Sequence, residues 1–217
     1  MSGYLTRELQ VELGGHAYRL QALKDLQQYD DPDQVAERAG ISSAQWSLFG
    51  HLWPAGRVLA DHMCAFEIDG KRILELGCGL GLSSLVLSRR GADITASDYH
   101  PLAAEFLDIN SRGNRLPDIA FHALDWPVPA PELGLFDVII GSDILYEAQH
   151  VPQLAEVLAR HAKPCAEIVI TDPGRGNANR LSRMLIEQGY ALEVQRMGFE
   201  PNETAPYRGR LMTWRRY

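Results

Sequence analysis

The stretch Arg72–Leu87, R-I-L-E-L-G-C-G-L-G-L-S-S-L-V-L, leaves the chain few choices of fold. Ile73, Leu74 and Leu76 are apolar and suit a buried strand. Gly77, Gly79 and Gly81 follow at every second position, and Leu82, Leu85 and Val86 then recur at helical spacing. A buried strand, a tight glycine turn and a helix form the unit that opens an α/β sheet with a nucleotide-type site at its turn. Glycine suits that turn because it tolerates positive φ and, lacking Cβ, lets a ligand lie against the backbone. The spacing is G-x-G-x-G, since Leu82 follows Gly81, so the dinucleotide pattern G-x-G-x-x-G is not met.

Two carboxylates flank the loop. Glu75 lies at the end of the strand, and Asp98 ends the next predicted strand, Asp93–Ser97, about twenty residues further on. An acidic residue there is placed to accept hydrogen bonds from both ribose hydroxyls of an adenosine-containing cofactor. Together, E-x-G-x-G-x-G and Asp98 resemble class I S-adenosylmethionine-dependent methyltransferases. That cofactor carries a sulfonium and an ammonium and no phosphates, so carboxylates beside it are favourable. A nicotinamide or flavin site is the competing reading, and an ordinary strand-to-helix turn is the plain structural one.

At 217 residues and 24.2 kDa, one α/β domain with a full core is expected. Residues 46–217 are read as the methyltransferase domain and residues 1–45 as an extension packed on it. No apolar run reaches the roughly 18 residues of a membrane span, and the N-terminus lacks a basic-then-apolar signal peptide. Cys64, Cys78 and Cys165 are far apart and odd in number, which suits reduced thiols in a cytoplasmic protein. A net charge of −7 disfavours nucleic acid as the main partner. Seven histidines show no metal-ligand spacing, so no metal is expected.

In chain order, Val11–Leu20 predicts a hairpin or two short strands around Gly14-Gly15. Asp33 is placed to cap a short helix through Arg38. This segment either shapes a substrate entrance or covers a sheet edge. Leu52, Leu59, Met63 and Phe66 form one helical stripe, with Pro54 in the first turn and Trp53 just ahead of it. Trp53 either lies across the cofactor or serves as a hydrophobic staple. Pro101 starts a helix closed by Gly113, and Ile119–Ala123 is a third strand followed by Asp125-Trp126-Pro127. Asp125 and Trp126 are expected against the adenine, the alternative being a loop aspartate with a buried Trp.

Phe136–Gly141 is a fourth, fully buried strand that runs into Ser142-Asp143-Ile144-Leu145-Tyr146. Ligands of open α/β sheets bind at the carboxyl ends of the strands. Asp143 and Tyr146, as D-x-x-Y, are therefore the candidates for chemistry, and Ser142 is small enough to let the cofactor pass. The alternative has Asp143 bonding nearby backbone and Tyr146 filling a crevice. A helix over Pro152–Arg160, a strand at Ile168–Ile170 and a helix over Asn177–Gln188 follow. A final antiparallel pair is joined across Pro201–Pro206. Arg208, Arg210, Arg215 and Arg216 read as protection of an edge strand.

L-W-P-A-G-R-V-L-A at 52–60, L-E-L-G-C-G-L-G-L at 74–82, S-D at 97–98, L-D-W at 124–126 and D-V-I-I-G-S-D-I-L-Y-E at 137–147 resemble the seven-strand protein-lysine methyltransferases. The resemblance implies a Rossmann-like α/β fold: a seven-stranded, mostly parallel sheet with an antiparallel terminal strand and helices on both faces. It implies S-adenosylmethionine as cofactor, S-adenosylhomocysteine as product and lysine of a protein as acceptor. It also implies a cofactor site of Trp53, Glu75, Gly77, Cys78, Gly79, Asp98, Asp125, Trp126 and Ser142, with Asp143 and Tyr146 catalytic. Thr171–Arg175, T-D-P-G-R, is similar to a segment of the branch that methylates the electron transfer flavoprotein β-subunit. That subunit or a translation-related protein is the expected acceptor, and the enzyme is expected to be a monomer. Ile144-Leu145 stands where amide and adenine-amine methylators carry N-P-P-Y prolines, which counts against those substrates. A small-molecule methyltransferase and an inactive cofactor-binding protein are the alternative readings.

Overall fold

The computed structural model describes residues 3–197 and 208–217. Its sheet has seven strands: β3 (Arg72–Leu76), β4 (Asp93–Asp98), β5 (Ala120–Ala123), β6 (Phe136–Ser142), β7 (Ala162–Asp172), β8 (Ala191–Met197) and β9 (Gly209–Arg216). They lie in the order β5-β4-β3-β6-β7-β9-β8. Strands β3 to β7 pair in parallel, and β9 is antiparallel to both β7 and β8. The chain therefore reverses its strand order beside β3, and the crevice outside the carboxyl ends of β3, β4 and β6 opens there.

The two-residue period of a strand decides what each face buries. Ile73, Val138, Ile140 and Val169 point to one face, where they join Leu59 and Met63 of α2 (Pro54–Met63), Leu85 of α3 (Leu82–Arg89) and Phe106 of α4 (Ala103–Gly113). Leu74, Leu76, Ile139, Ile168 and Ile170 point to the other. There they meet Leu154 and Leu158 of α5 (His150–His161) and Leu181 and Leu185 of α6 (Ala178–Glu187). Helices thus cover both faces, as the parallel arrangement requires.

The N-terminal strands are longer than the sequence suggested: β1 (Thr6–Leu13) and β2 (His16–Leu23) pair over their whole length. Gly14 (φ +56°) and Gly15 (φ +76°) form the two-residue turn, both in the left-handed region that such a hairpin needs. The hairpin is a sheet of its own that rests on α4 rather than covering an edge of the main sheet. Tyr18, Leu20 and Ala22 sink into the same apolar cluster as Ile73 and Phe106.

Two local expectations are corrected. The short helix α1 (Val35–Arg38) is capped by Asp31 and not by Asp33. The Asp31 carboxylate accepts from the backbone N–H groups of Val35 (2.8 Å), Ala36 (3.2 Å) and Glu37 (2.8 Å), and Gln34 takes up a left-handed conformation to permit this. The arginines of β9 do not guard an edge, because β9 runs between β7 and β8. Arg210 pairs with Asp172, and Arg215 pairs with Glu167 and Glu193. Arg208 is exposed ahead of the strand, and the connection across Pro201–Pro206 lies outside the described residues.

Leu20 is fully buried between the hairpin and the main core. Leu20→Ala should cost about 2–5 kcal/mol of global stability in a denaturant titration, the range for emptying a core site. A loss under about 0.5 kcal/mol would mean that the hairpin melts separately from the domain.

Candidate active site

The crevice at the carboxyl ends of β3, β4 and β6 is a cavity of about 670 Å³, within the range of small-molecule sites. All eleven residues singled out in the sequence border it. Their environments differ.

The floor is the loop from Gly77 to Gly81. Gly77, Gly79 and Gly81 all have positive φ (+62°, +52° and +79°). A Cβ on Gly79 would stand 2.8 Å from the Phe49 carbonyl oxygen, so backbone meets backbone there and no larger residue fits. Cys78 borders the cavity. Its side chain packs with Ala96 and Leu107, and burial pushes the thiol pKa well up.

Asp98 fixes the loop from the side. One carboxylate oxygen accepts from the Gly79 N–H (2.8 Å) and the other from the His100 N–H (2.8 Å). Burial raises its pKa, and the hydrogen bonds from the His100 and Gly79 amides pull it back down. Each oxygen keeps a further lone pair for a ligand donor.

Glu75 is fully buried and faces the start of α3. Its Oε2 accepts from the Ser84 N–H (3.0 Å) and from the Ser84 hydroxyl. It therefore occupies one of the orphan amides at the helix N-terminus, where Gly81 has no side chain to do so. Burial drives its pKa up to about 7 against the pull of those hydrogen bonds.

Around the rim, Trp53 precedes α2 and donates its indole N–H to the Leu48 carbonyl (3.0 Å). Asp125 and Trp126 follow β5, and Trp126 meets the His150 ring edge-on at 5.6 Å. Ser142 ends β6, with its hydroxyl 3.3 Å from where a Cβ on Gly56 would lie. Gly56 is thus the small residue that lets α2 approach.

Asp143 is not free. Both of its oxygens are held by the Arg175 guanidinium, Nε to Oδ1 at 2.7 Å and a terminal nitrogen to Oδ2 at 2.8 Å. Its backbone sits at φ +53°, a conformation that aspartate tolerates better than most residues. Tyr146 is half-exposed at the mouth and packs edge-on against His150 at 4.9 Å. Burial first, then the Glu147, Asp98 and Asp143 charges, push its hydroxyl pKa up to about 12. At that value the hydroxyl is protonated at neutral pH.

Several lining residues were not singled out from the sequence. Gln45 and Gln149 each donate to Glu147 at 2.6 Å and hold it at the mouth. His100 stacks on Phe49 at 3.8 Å, and burial lowers its pKa to about 4, which keeps it neutral. Residues 39–41 complete one wall, so the N-terminal segment borders the site. No spacing rule links Gln45, His100 and Glu147, because the fold alone brings them together. Arg175 was noted only as the end of the T-D-P-G-R segment and not as the partner of Asp143; it lies between Gly174 and Gly176, both at positive φ.

Residues 40–183 match the sequence profile of the family described as lysine methyltransferase. The chain is 29% identical over 192 residues to the zebrafish (Danio rerio) protein N-lysine methyltransferase METTL21A, covering 83% of this chain and 87% of that one. It is 28% identical over 134 residues to the electron transfer flavoprotein beta subunit lysine methyltransferase of Xenopus laevis, covering 60% of this chain and 52% of that one. Among solved structures, magnesium protoporphyrin IX methyltransferase from Synechocystis PCC 6803 with bound S-adenosylmethionine superposes with a TM-score of 0.57. It is 18% identical and covers 75% of this chain and 82% of that one, a likeness of fold.

Glu75 makes the stability of the protein depend on pH in a defined direction. Its folded pKa lies above the ordinary 4.5, so the native state holds a proton that the unfolded state has lost between about 4.5 and 7. The contribution is favourable below that window and lost as pH rises through it. Glu75→Gln keeps an acceptor for Ser84 without the buried charge. The variant should gain on the wild type by on the order of 3 kcal/mol between pH 4.5 and 7.5, read as the difference of their unfolding free energies. A difference that stays flat with pH would mean that Glu75 is ionised throughout.

Proposed function

Since the chain belongs to the lysine methyltransferase family, we propose that it transfers the methyl group of S-adenosylmethionine, bound in the crevice, to a lysine amine of a protein substrate. The observation that carries this reading is the convergence of the left-handed glycine loop, Asp98 and the Asp143–Tyr146 turn on one cavity.

The donor set suits that cofactor. Glu75, Asp98, Asp125, Asp143 and Glu147 line the cavity, and among the described residues Arg175 is the one Lys or Arg that does. Arg175 is already matched to Asp143. Such a wall favours a ligand that carries cationic groups and disfavours a pyrophosphate. Asp98 would hold the ribose with its remaining lone pairs, Asp125 and Trp126 the adenine, and the backbone of the Gly77–Gly79 segment the amino-acid end. When bound, S-adenosylmethionine supplies an electrophilic methyl group on sulfur, which departs as the neutral thioether of S-adenosylhomocysteine.

The protein's own share is to deliver a neutral amine in line with that methyl group. A lysine arrives as an ammonium with a pKa near ~10.4, and its lone pair is free only after a proton leaves. Tyr146, Trp53 and the edge of His150 give the entrance aromatic walls beside the Glu147 carboxylate, and desolvation against those walls lowers the ammonium pKa and releases the proton to water. Tyr146 bounds this entrance and can accept a hydrogen bond from the amine. Asp143, engaged by Arg175 on both oxygens, holds the turn that carries Tyr146 rather than meeting the amine itself. Most of the acceleration then comes from alignment.

The T-D-P-G-R segment at 171–175 supports an acceptor like the electron transfer flavoprotein β-subunit, with a translation-related protein next. We read the enzyme as a monomer of the cytoplasm. Among the described residues, no helix is long and apolar enough to cross a membrane.

Transfer of labelled methyl groups from S-adenosylmethionine into a lysate of the source organism's deletion strain tests the reading. A discrete labelled protein, mapped to lysine by mass spectrometry, is expected. Asp143→Ala should lower its labelling rate on the order of a hundredfold by releasing the turn. Label confined to small molecules would identify a metabolite methyltransferase. Calorimetric binding of the cofactor without any transfer would identify an inactive binder.

A second expectation separates Tyr146 as a wall from Tyr146 as a base. Tyr146→Phe should retain activity within about tenfold and leave the pH–rate profile in place, because the hydroxyl never ionises near neutrality. Loss of the alkaline rise in that profile would assign the hydroxyl a proton-transfer role.

A further inference from the structure

Helix α4 and the residue that caps its C-terminus present Asn110 and Asn114, four residues apart and both buried, to the outer edge of β2. Four residues of helix rise about 6 Å, close to the ~6.7 Å between alternate residues of a strand. The two amides therefore fall in register with Arg19 and Gln21. Asn114 accepts from the Arg19 N–H (2.9 Å) and donates to its carbonyl (2.6 Å). Asn110 accepts from the Gln21 N–H (2.6 Å) and donates more weakly to its carbonyl (3.4 Å). Side chains thus do for the edge of β2 what a third strand would otherwise do.

Asn110 has a further partner on the other side. Its Nδ2 donates at 3.0 Å to the carbonyl of Leu80, between Gly79 and Gly81 in the floor of the cavity. The next N–H along, that of Gly81, donates to the Cys78 carbonyl at 2.8 Å, so the Leu80–Gly81 peptide is gripped at both ends. Leu107, three residues before Asn110 on α4, closes over Gly81 so tightly that a Cβ there would lie 2.3 Å from its Cδ1. The glycine loop is therefore set from outside the cavity by α4, and the side chain that sets it is held by the hairpin.

We propose that Asn110 is a positioning residue for the cofactor loop and that it links the N-terminal hairpin to cofactor binding. The cofactor half of this statement rests on the S-adenosylmethionine reading above. Reciprocity is its consequence: if a tethered hairpin favours the binding conformation of the loop, a ligand on the loop must in turn stabilise the hairpin. Asn114 makes equivalent bonds to β2 and none to the loop.

Amide hydrogen exchange on the full chain, with S-adenosylhomocysteine as the probe, tests the link. In the wild type, saturating probe should slow exchange of the Gln21 amide by about threefold or more. Asn110→Asp keeps an acceptor for Gln21 and removes the donor to Leu80. Without ligand it should speed exchange of the Gly81 amide, and with ligand it should abolish the protection at Gln21. Calorimetry should show its affinity for the probe reduced on the order of tenfold. Asn114→Asp should bind the probe within about twofold of wild type, because the bonds it loses, to the Arg19 and Asn110 carbonyls, do not include one to the loop.

Unchanged Gln21 exchange in the probe-saturated wild type would overturn the link without recourse to any variant. So would equal loss of affinity in the two aspartate variants. A wild type that fails to bind the probe at all would sink the cofactor reading instead. Gly81 exchange in ligand-free Asn110→Asp would then still decide whether the side chain sets the loop.

Discussion

A backbone that takes three left-handed residues within five positions has no repeating hydrogen-bond pattern of its own, so its shape must be imposed by neighbours. The loop from Gly77 to Gly81 is held in this way at every step. Cys78 donates to the Ser97 carbonyl, Gly79 to Asp98, and the Leu80 carbonyl accepts from Asn110. Phe49 closes on Gly79 backbone to backbone. Each support comes from a different part of the chain: β4 on one side, α4 behind, and the segment preceding α2 in front. The order of the sheet follows from the same need, since β4 and β6 must flank β3 for Asp98 and Ser142 to reach the crevice.

Electrostatics add a second constraint. Glu75 and His100 are both buried where they border the cavity, and burial favours the neutral form of each. Their contributions to stability run in opposite directions. Glu75 stabilises most when protonated and loses this as pH rises from about 4.5 to 7. His100, with its pKa lowered from 6.5 to about 4, loses stability as pH falls through that interval. Between roughly pH 4.5 and 6.5 the two contributions run against each other, because both groups stay neutral in the fold while their unfolded counterparts titrate.

The glycine loop, the β3 and β4 strands and the crevice residues were legible because each depends on local chemistry. Glycines mark the turn, β-compatible apolar residues mark buried strands, and carboxylates at strand ends mark the ligand side. What escaped was set by long-range packing. The outer edge of β2 is met at Arg19 and Gln21 by amides from far along the chain, and no periodicity within the hairpin reports them. Asp31 and Asp33 are equally good caps by composition, and only the path of the chain selects Asp31. The β9 arginines looked like edge protection because sequence order does not reveal that β9 inserts between β7 and β8. Glu75 lines the crevice, but its engagement with Ser84 on the following helix was not foreseen.

Asp143 shows how an isolated motif under-determines a role. A D-x-x-Y pattern read alone puts a bare carboxylate beside the incoming amine, and such a charge would hold a lysine as its ammonium. That would raise the pKa that transfer requires to be low. The fold resolves the conflict by supplying Arg175 from the β7–α6 connection, between two glycines whose left-handed backbone leaves the arginine room to reach across. The fork uses both carboxylate oxygens and matches the charge, as a lysine at this position could not. Asp143 then contributes geometry, holding a left-handed residue at the base of the turn. Tyr146 is left at the mouth with a protonated hydroxyl and an apolar face. In the mechanism proposed above, this ion pair keeps the Asp143 charge from holding the amine as its ammonium, and desolvation against the Tyr146 ring favours loss of the proton.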